Sequence, residues 1–528
     1  MIRIVLVCLL LLLIARVGYV SLYIGQMLAK ESVDSHLLRA AVLYERGDIY
    51  DRSGVQITNQ SETFYVAVFP ALVEESDSVI TYLEGMTGRS TEELERRYRS
   101  GDAFCLRIEG KAEVGSPMRG VVLFAQKSRY DSKGSASHVL GYVQEDGRIG
   151  VSGIEEMCND SLVGEDYQYL QAVTDGAGRV IHGAPYRLSD QYEKKQIMVT
   201  LDWEMQRAIE GILDKHEVKG SVIVMGIDGD ILAMVSRPTF RTGQIAQYLS
   251  KDDAPLLNRA IQPVALGSVF KVVTALAGLE SGMITMQDRW EDAGRIEVAG
   301  ITFHGWDDGE GYVPRRLTLT EAMAHSSNSV FIQIGTKIGG ARIVEMAKRL
   351  GFGKQTIANY TEEEAGNLPN GDHLYIAEVA NLAIGQGALL ATPMQVTKMM
   401  AIVANGGYEV VPHLLMDEKN YARKRIINEQ TARSLQEMLA VSVDDGTGEL
   451  AQSVRGQAAG KTGSAETGRT TPEGKSVNHA WFSGYFPRYA PRYVCTVMIE
   501  EGNSGGYVAA PIFREIMEII HQKKQVFS

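Results

Sequence analysis

Apolar residues form one nearly continuous run at the start of the chain and then recur in short, spaced clusters. Residues 4–14 are all apolar, Arg16 interrupts the run, and residues 17–28 continue it. A helix needs roughly 20 apolar residues to cross a bilayer, so residues 1–29 are predicted to form an uncleaved transmembrane signal anchor. The basic residues on its two sides are too evenly balanced to fix its orientation.

Between the anchor and residue 190, the clusters predict short strands, turns and short helices. Residues 64–69 have the β-propensity of a strand, and Ser90 with Glu93 predicts a capped helix start. Residues 138–143 also have the composition of a strand and turn. This stretch carries no catalytic constellation, so residues 30–190 are predicted to form an α+β support domain, here called the pedestal.

Strand patterns stand at both ends of residues 191–528, and helix patterns lie between them. Two clusters of β-branched and apolar residues, 221–225 and 231–236, flank a Gly/Asp turn and predict a hairpin. This arrangement predicts an α+β domain with an antiparallel sheet covered by helices. Further strands are predicted at 460–465, 480–486 and 493–500, and helices at 203–213, 266–279, 319–338 with a break at 326–328, 376–382, 392–404, 431–441 and 510–521.

Composition narrows the possible functions. The chain has 528 residues, which suggests several domains, and a net charge of −12, which argues against a nucleic-acid-binding protein. Its four cysteines are too few for a disulfide framework. No cluster of Cys and His has the spacing of metal ligands, and His-Glu-x-x-His is absent from the sequence, so no metal is expected.

A glycine turn followed by a long apolar stretch predicts a buried helix that begins near Gly267. Ser268 and Lys271 stand three residues apart at its start, so a helix would bring their side chains to one face. A serine hydroxyl becomes a nucleophile when a base takes its proton, and a lysine is such a base when burial lowers its pKa. By itself Ser-x-x-Lys is a weak signal, because surface helices contain it by chance.

Two later motifs strengthen the first. Residues 324–329 include Ser326 and Asn328 at a break in a helical pattern, and Lys461 opens the run Lys-Thr-Gly-Ser that ends at Ser464. The three motifs follow the order found in active-site serine enzymes, which include penicillin-binding proteins and serine β-lactamases. Together they predict a single catalytic cleft.

Over nearly its whole length the chain resembles a class B penicillin-binding protein, a membrane-anchored, monofunctional peptidoglycan D,D-transpeptidase. β-Lactamases and carboxypeptidases share the three motifs but not the N-terminal ones. Leu266 and Val269 flank Gly267-Ser268 where the family usually has Pro and Thr, and Ser464 replaces a usual Thr; neither change removes a reacting group. The other residues that carry the resemblance are Arg46-Gly47, Asp51-Arg52, Gly54, Gly150, Gly153-Ile154-Glu155, Asn258-Arg259-Ala260, Gly385-Gln386-Gly387, Thr392-Pro393, Gly446-Thr447, Trp481-Phe482 and Gly484-Tyr485.

The resemblance implies a catalytic role for each residue of the first two motifs. Ser268 would attack the penultimate D-Ala carbonyl of a stem peptide that ends in D-Ala-D-Ala, and Lys271 would take its proton. Ser326 would relay a proton to the leaving amine. Asn328 would hold the substrate backbone or Lys271.

The resemblance also implies that the third motif binds the substrate. Lys461 would supply positive charge near the substrate carboxylate, which the hydroxyls of Thr462 and Ser464 would bind. Gly463 belongs to the same substrate-binding strand. The backbone N–H groups of Ser268 and Ser464 would form an oxyanion hole.

Partners and location also follow from the resemblance. It implies β-lactam antibiotics as covalent ligands, no cofactor, and a membrane-embedded glycan polymerase as a partner that could contact Arg16. Cross-linking takes place outside the cytoplasmic membrane, so a single-pass protein with an extracytoplasmic catalytic domain is expected. Arg46, Asp51 and Glu155 are expected to hold turns and the domain junction, and His325 and His479 to be structural.

Other functions stay open at this point. A D,D-carboxypeptidase shares the acylation step and differs only in the acceptor. A transpeptidase-like scaffold for the glycan polymerase would be free to lose the motifs, which are intact here. A β-lactam sensor would need a cytoplasmic signalling region. A β-lactam hydrolase would not need the pedestal. The sequence does not choose between roles in elongation, division and sporulation.

Overall fold

The computed structural model describes residues 2–20, 37–108, 110–175, 181, 186–189, 195–309, 312–418, 424–454, 457–472 and 474–526. Helix α1 spans Ile2–Tyr19, and its apolar side chains are exposed. Within these described residues, none of the helices combines the length and the apolar character that a membrane crossing requires. The predicted anchor also includes residues 21–29, which lie outside the described residues.

The pedestal is built on a mixed seven-stranded sheet. Its elements are β1 (Leu37–Arg46), β2 (Asp48–Tyr50), β3 (Ser61–Val68), α2 (Ser76–Thr87), α3 (Thr91–Arg99), β4 (Phe104–Arg107), β5 (Gly115–Met118), β6 (Val121–Ser128), α4 (Ser137–Leu140), α5 (Gly153–Met157), α6 (Asn159–Leu162), β7 (Val163–Val173) and β8 (Arg187–Leu188). The spatial order is β5-β6-β3-β4-β1-β7-β8, in which β1 and β4 run parallel. Apolar residues of α2 and α3 pack on one face of this sheet.

The local predictions for the pedestal have mixed outcomes. The predicted strand at 64–69 is part of β3, and Ser90 caps α3 by accepting a hydrogen bond from the backbone N–H of Glu93, so both predictions are confirmed. The predicted strand at 138–143 is wrong, because the chain forms the one-turn helix α4 there. Ser137 fixes this turn by donating its hydroxyl proton to backbone carbonyls of both units, including that of Phe240 (2.7 Å).

The second unit contains the antiparallel sheet predicted from the strand pattern. Its elements are β9 (Gln196–Met198), α7 (Trp203–Lys215), β10 (Gly220–Gly226), β11 (Ile231–Arg237), α8 (Lys271–Glu280), β12 (Arg289–Asp292), β13 (Arg295–Val298), β14 (Ile301–His304), β15 (Arg315–Thr318), α9 (Leu319–Ala324), α10 (Asn328–Ile338), α11 (Gly340–Leu350), α12 (Ile376–Ala383), α13 (Pro393–Ala404), α14 (Glu429–Asp444), β16 (Ala459–Thr470), β17 (Ser476–Phe486), β18 (Tyr493–Ile499) and α15 (Ala510–Val526). The sheet order is β11-β10-β18-β17-β16, and the predicted hairpin is β10–β11.

Helices cover both faces of this sheet. Phe482 packs with residues of α7 and α15, whereas its neighbour Trp481 packs in the core that contains α8, α10, α11 and α13. Successive side chains of a strand point to opposite faces, so β17 joins the two cores. The predicted helix-covered antiparallel sheet is confirmed, and β16 is left at one edge of the sheet with its outer side unpaired by another strand of that sheet.

A buried ion-pair network holds the pedestal together, and a helix cap joins the pedestal to the second unit. Glu155 is fully buried and accepts hydrogen bonds from Arg46 Nε (2.6 Å) and Arg129 Nε (2.5 Å). Asp51 Oδ2 accepts from the backbone N–H of Trp203 at the start of α7 (3.2 Å). Asp51 therefore lies at the domain junction, whereas Arg46 and Glu155 hold the interior of the pedestal. Strands β2 and β9 pair in parallel across the predicted domain boundary at residue 190, and that boundary stays a prediction.

Candidate active site

The first motif lies in a tight turn wedged between two other segments. Gly267–Phe270 forms a 3₁₀ turn that leads directly into α8. Gly267 has φ +57°, its N–H donates to the carbonyl of Gly385 (2.9 Å), and a Cβ on it would lie 2.6 Å from the carbonyl oxygen of Ser464. Only glycine combines this φ with such a close backbone approach. The half-buried Ser268 is thereby held beside the edge strand β16.

Lys271 is the buried centre of the cleft. It is the first residue of α8 and has no solvent exposure. Its Nζ donates to the Ser326 carbonyl (2.6 Å), to Ser326 Oγ (3.2 Å) and to Asn328 Oδ1 (2.7 Å). Ser268 Oγ forms no hydrogen bond with any described residue. The structure therefore brings Lys271 together with the second motif, and Ser268 lies on the same turn without a direct hydrogen bond to the lysine.

The second motif occupies the predicted break between two helices, α9 and α10. Ser326 has φ +58°, a left-handed conformation that is uncommon for residues with a side chain. Ser327 caps α10 through its hydroxyl. Asn328 bridges two segments, because its Nδ2 donates to the carbonyl of His304 (2.8 Å) while its Oδ1 accepts from Lys271.

A buried carboxylate behind the second motif supports it. Asp292, at the end of β12, accepts a hydrogen bond from Ser329 Oγ (2.6 Å), which lies 3.3 Å from Ser327 Oγ. Arg315 Nε donates to the second oxygen of Asp292 (3.3 Å). Burial alone would raise the pKa of Asp292. The hydrogen bonds that its carboxylate accepts, of which the one from Ser329 contributes most, outweigh burial and lower this pKa. The anionic carboxylate thus anchors the first turn of α10.

The third motif lies on the edge strand β16. Lys461 is fully buried, and its Nζ donates to the carbonyl of the next residue (3.1 Å). Gly463 packs directly on the first motif, since a Cβ on it would lie 2.9 Å from the carbonyl of Leu266. Ser464 is exposed, and its Oγ accepts from the backbone N–H of Gly505 (3.3 Å). One strand therefore supplies a buried amine and an exposed hydroxyl beside Ser268.

Two further residues border the cleft and were not among the predicted site residues. Thr447 Oγ1 lies 2.6 Å from Thr462 Oγ1, and the Thr447 N–H donates to the carbonyl of Ala324 (3.0 Å). Thr447 therefore ties the third motif to the helix before the second. The exposed ring of Trp306 donates its N–H to the backbone carbonyl of His325 (2.8 Å). The sequence signal for Thr447 was present, because it belongs to a Gly-Thr pair that carries the family resemblance.

The two buried lysines determine the electrostatics of the cleft. Burial lowers the pKa of Lys271 well below its usual value, and the charge of Lys461 lowers it further, while Asp292 and Asp307 act in the opposite direction. Burial lowers the pKa of Lys461 to about 7. A neutral amine and a cation can therefore coexist near neutral pH.

This set of groups is suited to one kind of chemistry. A serine on a rigid turn, a buried amine that can accept a proton, and an edge strand with hydroxyl groups are the parts of covalent acyl transfer through a serine ester. The fold and the cleft therefore define an active-site serine acyl-transfer enzyme with an attached pedestal.

Known proteins share both units. Residues 220–518 match the penicillin binding protein transpeptidase domain, and residues 42–188 match the penicillin-binding protein dimerisation domain. The chain therefore belongs to the penicillin-binding protein transpeptidase family, in the class B group of serine transpeptidases.

Individual relatives are similar to this chain over most of their own length. The chain is 28% identical to stage V sporulation protein D of Bacillus subtilis, covering 95% of this chain and 82% of that protein. It is 26% identical to the peptidoglycan D,D-transpeptidase MrdA of Acinetobacter baumannii, covering 96% and 85%. Two solved structures share the fold at 22% identity: penicillin-binding protein PBP2 from Helicobacter pylori (TM-score 0.74, 92% and 99% covered) and a chain of a peptidoglycan synthase complex that coordinates polymerization and crosslinking (TM-score 0.70, 98% and 97% covered).

Proposed function

We propose that this enzyme is a peptidoglycan D,D-transpeptidase in which Ser268 is the nucleophile and Lys271 its general base. The observation that carries the proposal is the complete burial of the Lys271 amine, which lowers its pKa and so favours the neutral base, on the same turn as Ser268. The neutral amine takes the hydroxyl proton as Ser268 Oγ bonds to the penultimate D-Ala carbonyl of a stem peptide. The C–N bond to the terminal D-Ala then breaks, and that amine leaves with a proton.

The second half of the reaction regenerates the serine. An amine of a neighbouring stem peptide attacks the ester carbonyl, a new amide bond forms, and the proton lost by the amine returns to Ser268 Oγ. Ser326 relays protons between Lys271 and the amine that leaves or attacks. Its hydroxyl, 3.2 Å from Lys271 Nζ, supports this role. Asn328 holds the lysine and can also bind the substrate backbone.

The third motif binds the donor peptide. Lys461 places positive charge near the terminal carboxylate, and the hydroxyls of Thr462 and Ser464 donate hydrogen bonds to it. Gly463 lets the strand approach the nucleophile turn. The backbone N–H groups of Ser268 and Ser464 stabilise the oxyanion, where the loss of one such donor costs on the order of 10²–10³ in rate. β-Lactams acylate the same serine because they mimic D-Ala-D-Ala.

A fluorescent penicillin tests the nucleophile. The wild-type chain should form a covalent band in a denaturing gel, and Ser268→Ala should lose it while keeping its thermal unfolding midpoint. Ser281→Ala, an exposed serine at the end of α8, is the matched control and should label like wild type. An unlabelled wild type would favour the scaffold function, and a labelled Ser268→Ala would move the nucleophile elsewhere.

The acceptor separates the transpeptidase from the carboxypeptidase. With a stem-peptide ester as donor, the transpeptidase should form an amide with added D-amino acid or stem peptide. Formation of the hydrolysed acid alone would favour the carboxypeptidase.

Depletion of the protein in its host addresses the physiological role. Filaments would indicate a role in division, round cells a role in elongation, and defective spores a role in sporulation.

Residues 1–29 are proposed to anchor the enzyme in the cell membrane, with the catalytic unit on the extracytoplasmic side. The long apolar run and the chemistry of cross-linking support this proposal. The protein should stay with membranes in alkaline carbonate and dissolve in detergent, and deletion of 1–29 should release it. Recovery of the full-length chain in the carbonate supernatant would contradict anchoring.

A glycan polymerase is the proposed membrane partner. The similar chain in a peptidoglycan synthase complex supports it. Arg16, a charge within an apolar run, is the proposed contact. Detergent-solubilised enzyme should copurify with the polymerase, and Arg16→Leu should reduce the yield, whereas an unchanged yield would move the contact elsewhere.

A further inference from the structure

A large cleft lies in the pedestal, and none of the residues that line it belongs to the three catalytic motifs. Its volume is about 1060 Å³, and it lies between the pedestal sheet and the segment Arg241–Gln247 of the catalytic unit. Most of that segment belongs to the 3₁₀ stretch Thr242–Tyr248, none of whose residues is buried. The cleft, here called the pedestal cleft, therefore has a rigid floor from one unit and an exposed wall from the other.

Strand pairing gives the pedestal cleft a polar floor. Tyr65 on β3 pairs with Arg107 on β4, and Thr63 on β3 pairs with Gln126 on β6. Directly paired residues of neighbouring antiparallel strands share a face, and so do residues two apart on one strand. All four side chains therefore belong to the same face of the sheet, and all four line the cleft.

Two arginines of the pedestal cleft have no ion-pair partner among the residues that the structure describes. Among its carboxylates, Asp48 accepts from the amide of Asn59 (2.5 Å), and Glu145 pairs with Arg89. The carboxylate of Asp131 accepts from two backbone N–H groups (3.0 and 3.1 Å). Arg107 and Arg241, in contrast, form no ion pair or side-chain hydrogen bond with any part of the chain that the structure describes. Glu45, a buried carboxylate, also lines the cleft, so the two arginines, and not the net charge of the lining, favour an anionic ligand.

Arg107 also connects the two walls. Its guanidinium packs against the backbone of Gly243, so closely that a Cβ on this glycine would overlap it. Arg241 lines the cleft two residues earlier in the same segment. An anion held by both arginines would contact the pedestal and the catalytic unit at once.

We propose that the pedestal cleft binds an uncross-linked disaccharide-peptide unit of peptidoglycan, with stem-peptide carboxylates paired to Arg107 and Arg241. Arginine pairs with carboxylates through two parallel hydrogen bonds, and the hydroxyl and amide side chains of the floor suit sugar hydroxyl and acetamido groups. Typical small-ligand sites measure about 300–1,000 Å³. The pedestal cleft, at about 1060 Å³, is therefore large enough for a disaccharide-peptide unit. This inference rests on the proposed function only for the choice of peptidoglycan as the ligand.

Binding to the pedestal cleft can be measured with the catalytic serine blocked. The full-length enzyme in detergent is first acylated completely with benzylpenicillin, and a disaccharide-pentapeptide is then titrated by calorimetry. The acylated enzyme should bind one equivalent. The double variant Arg107→Gln/Arg241→Gln should bind at least about tenfold more weakly, because each charge-assisted hydrogen bond it loses is a strong one. Arg96→Gln, an exposed pedestal arginine outside the cleft, is the matched control and should bind like wild type.

The outcomes separate this inference from the catalytic one. An acylated enzyme that binds no disaccharide-pentapeptide, or a double variant that binds as tightly as wild type, overturns the pedestal-cleft proposal. Failure of the wild type to react with benzylpenicillin overturns the catalytic proposal instead. If the double variant does not fold, Arg241→Glu alone decides, since it changes an exposed residue on a wall without buried side chains. It should keep the penicillin acylation rate and weaken ligand binding, and unchanged binding would overturn the proposal.

Discussion

The two buried lysines of the active-site cleft must be in opposite protonation states for acylation to occur. Lys271 acts as a base only when neutral, so acylation should be lost as pH falls below its lowered pKa. Lys461 attracts the substrate carboxylate only when protonated, so acylation should also be lost as pH rises above its pKa of about 7. We expect a bell-shaped pH profile for the second-order rate constant of penicillin acylation, which reports the ionisations of the free enzyme. Quantified fluorescent labelling at a series of pH values measures it.

Substitutions at Lys461 assign the two limbs of this profile. Lys461→Arg keeps a permanent cation and should abolish the alkaline limb. Lys461→Gln removes the charge that helps to lower the pKa of Lys271, so the acid limb should move to higher pH, in addition to a lower maximum. An alkaline limb that survives in Lys461→Arg would show that another group controls it.

Individual site residues were predictable where a motif carries them, and not where only the fold brings them together. Ser268, Lys271, Ser326, Asn328 and Lys461 stand out in the sequence because each belongs to a short pattern with a chemical rationale. The family resemblance also offered the contact of Asn328 with Lys271 as one of two roles, although the two residues stand 57 positions apart. The supporting carboxylate behind the second motif lies 37 residues before the serine it holds, on a strand without any motif.

At the scale of elements, the cleft depends on how closely the nucleophile turn approaches β16. Gly267→Ala places a Cβ 2.6 Å from the carbonyl of Ser464 and adds the strain of φ +57°. Gly468→Ala on β16 is the matched control, because that glycine has φ +72° and no atom within 4 Å of a Cβ. We expect Gly267→Ala to lower the penicillin acylation rate by about tenfold or more, as small misplacements of reacting groups can. Gly468→Ala should carry only the strain, about 1–2 kcal/mol in unfolding free energy.

This comparison separates position from strain. Stability comes from thermal or urea unfolding, and acylation from the rate of fluorescent labelling. Equal acylation rates in the two variants would show that the strand tolerates displacement at Ser464. The turn would then not control the position of the nucleophile.

Elements were predictable where the local sequence carries a turn or a cap, even where the element is buried on both faces. The hairpin β10–β11 and the capped helix α3 follow directly from their patterns. Residues 138–143 have strand-like composition, yet α4 forms there, and a hydrogen bond from Ser137 ties it to Phe240 of the second unit. That tertiary contact overrides the local β-strand propensity, and no local sequence pattern indicates the contact.

At the scale of the whole molecule, the pedestal that carries the catalytic unit is held together by charged groups that are buried with one another. Glu155 is fully buried between Arg46 and Arg129, whose side chains are 3% and 11% exposed. Burial alone would raise the pKa of Glu155, but the two arginines, Arg129 first, outweigh it and lower the pKa. A carboxyl group with a lowered folded-state pKa stabilises the fold above its unfolded pKa of about 4.3, and this contribution is lost as pH falls through the folded value.

Glu155→Gln should therefore destabilise the pedestal strongly, because it leaves two buried guanidinium groups without a counter-charge, a change that typically costs about 3–5 kcal/mol. Urea unfolding of the detergent-solubilised enzyme at neutral pH measures it, and in acid the difference from wild type should shrink as the wild-type carboxylate takes up its proton. Glu95→Gln breaks an exposed pair with Arg99 on α3 and should change stability by less than about 1 kcal/mol. If the two variants unfold at the same urea concentration, the Arg46–Glu155–Arg129 network does not stabilise the pedestal, and the fold then depends on other contacts, among them the parallel β2–β9 pairing and the cap by Asp51 that connect the pedestal to the second unit.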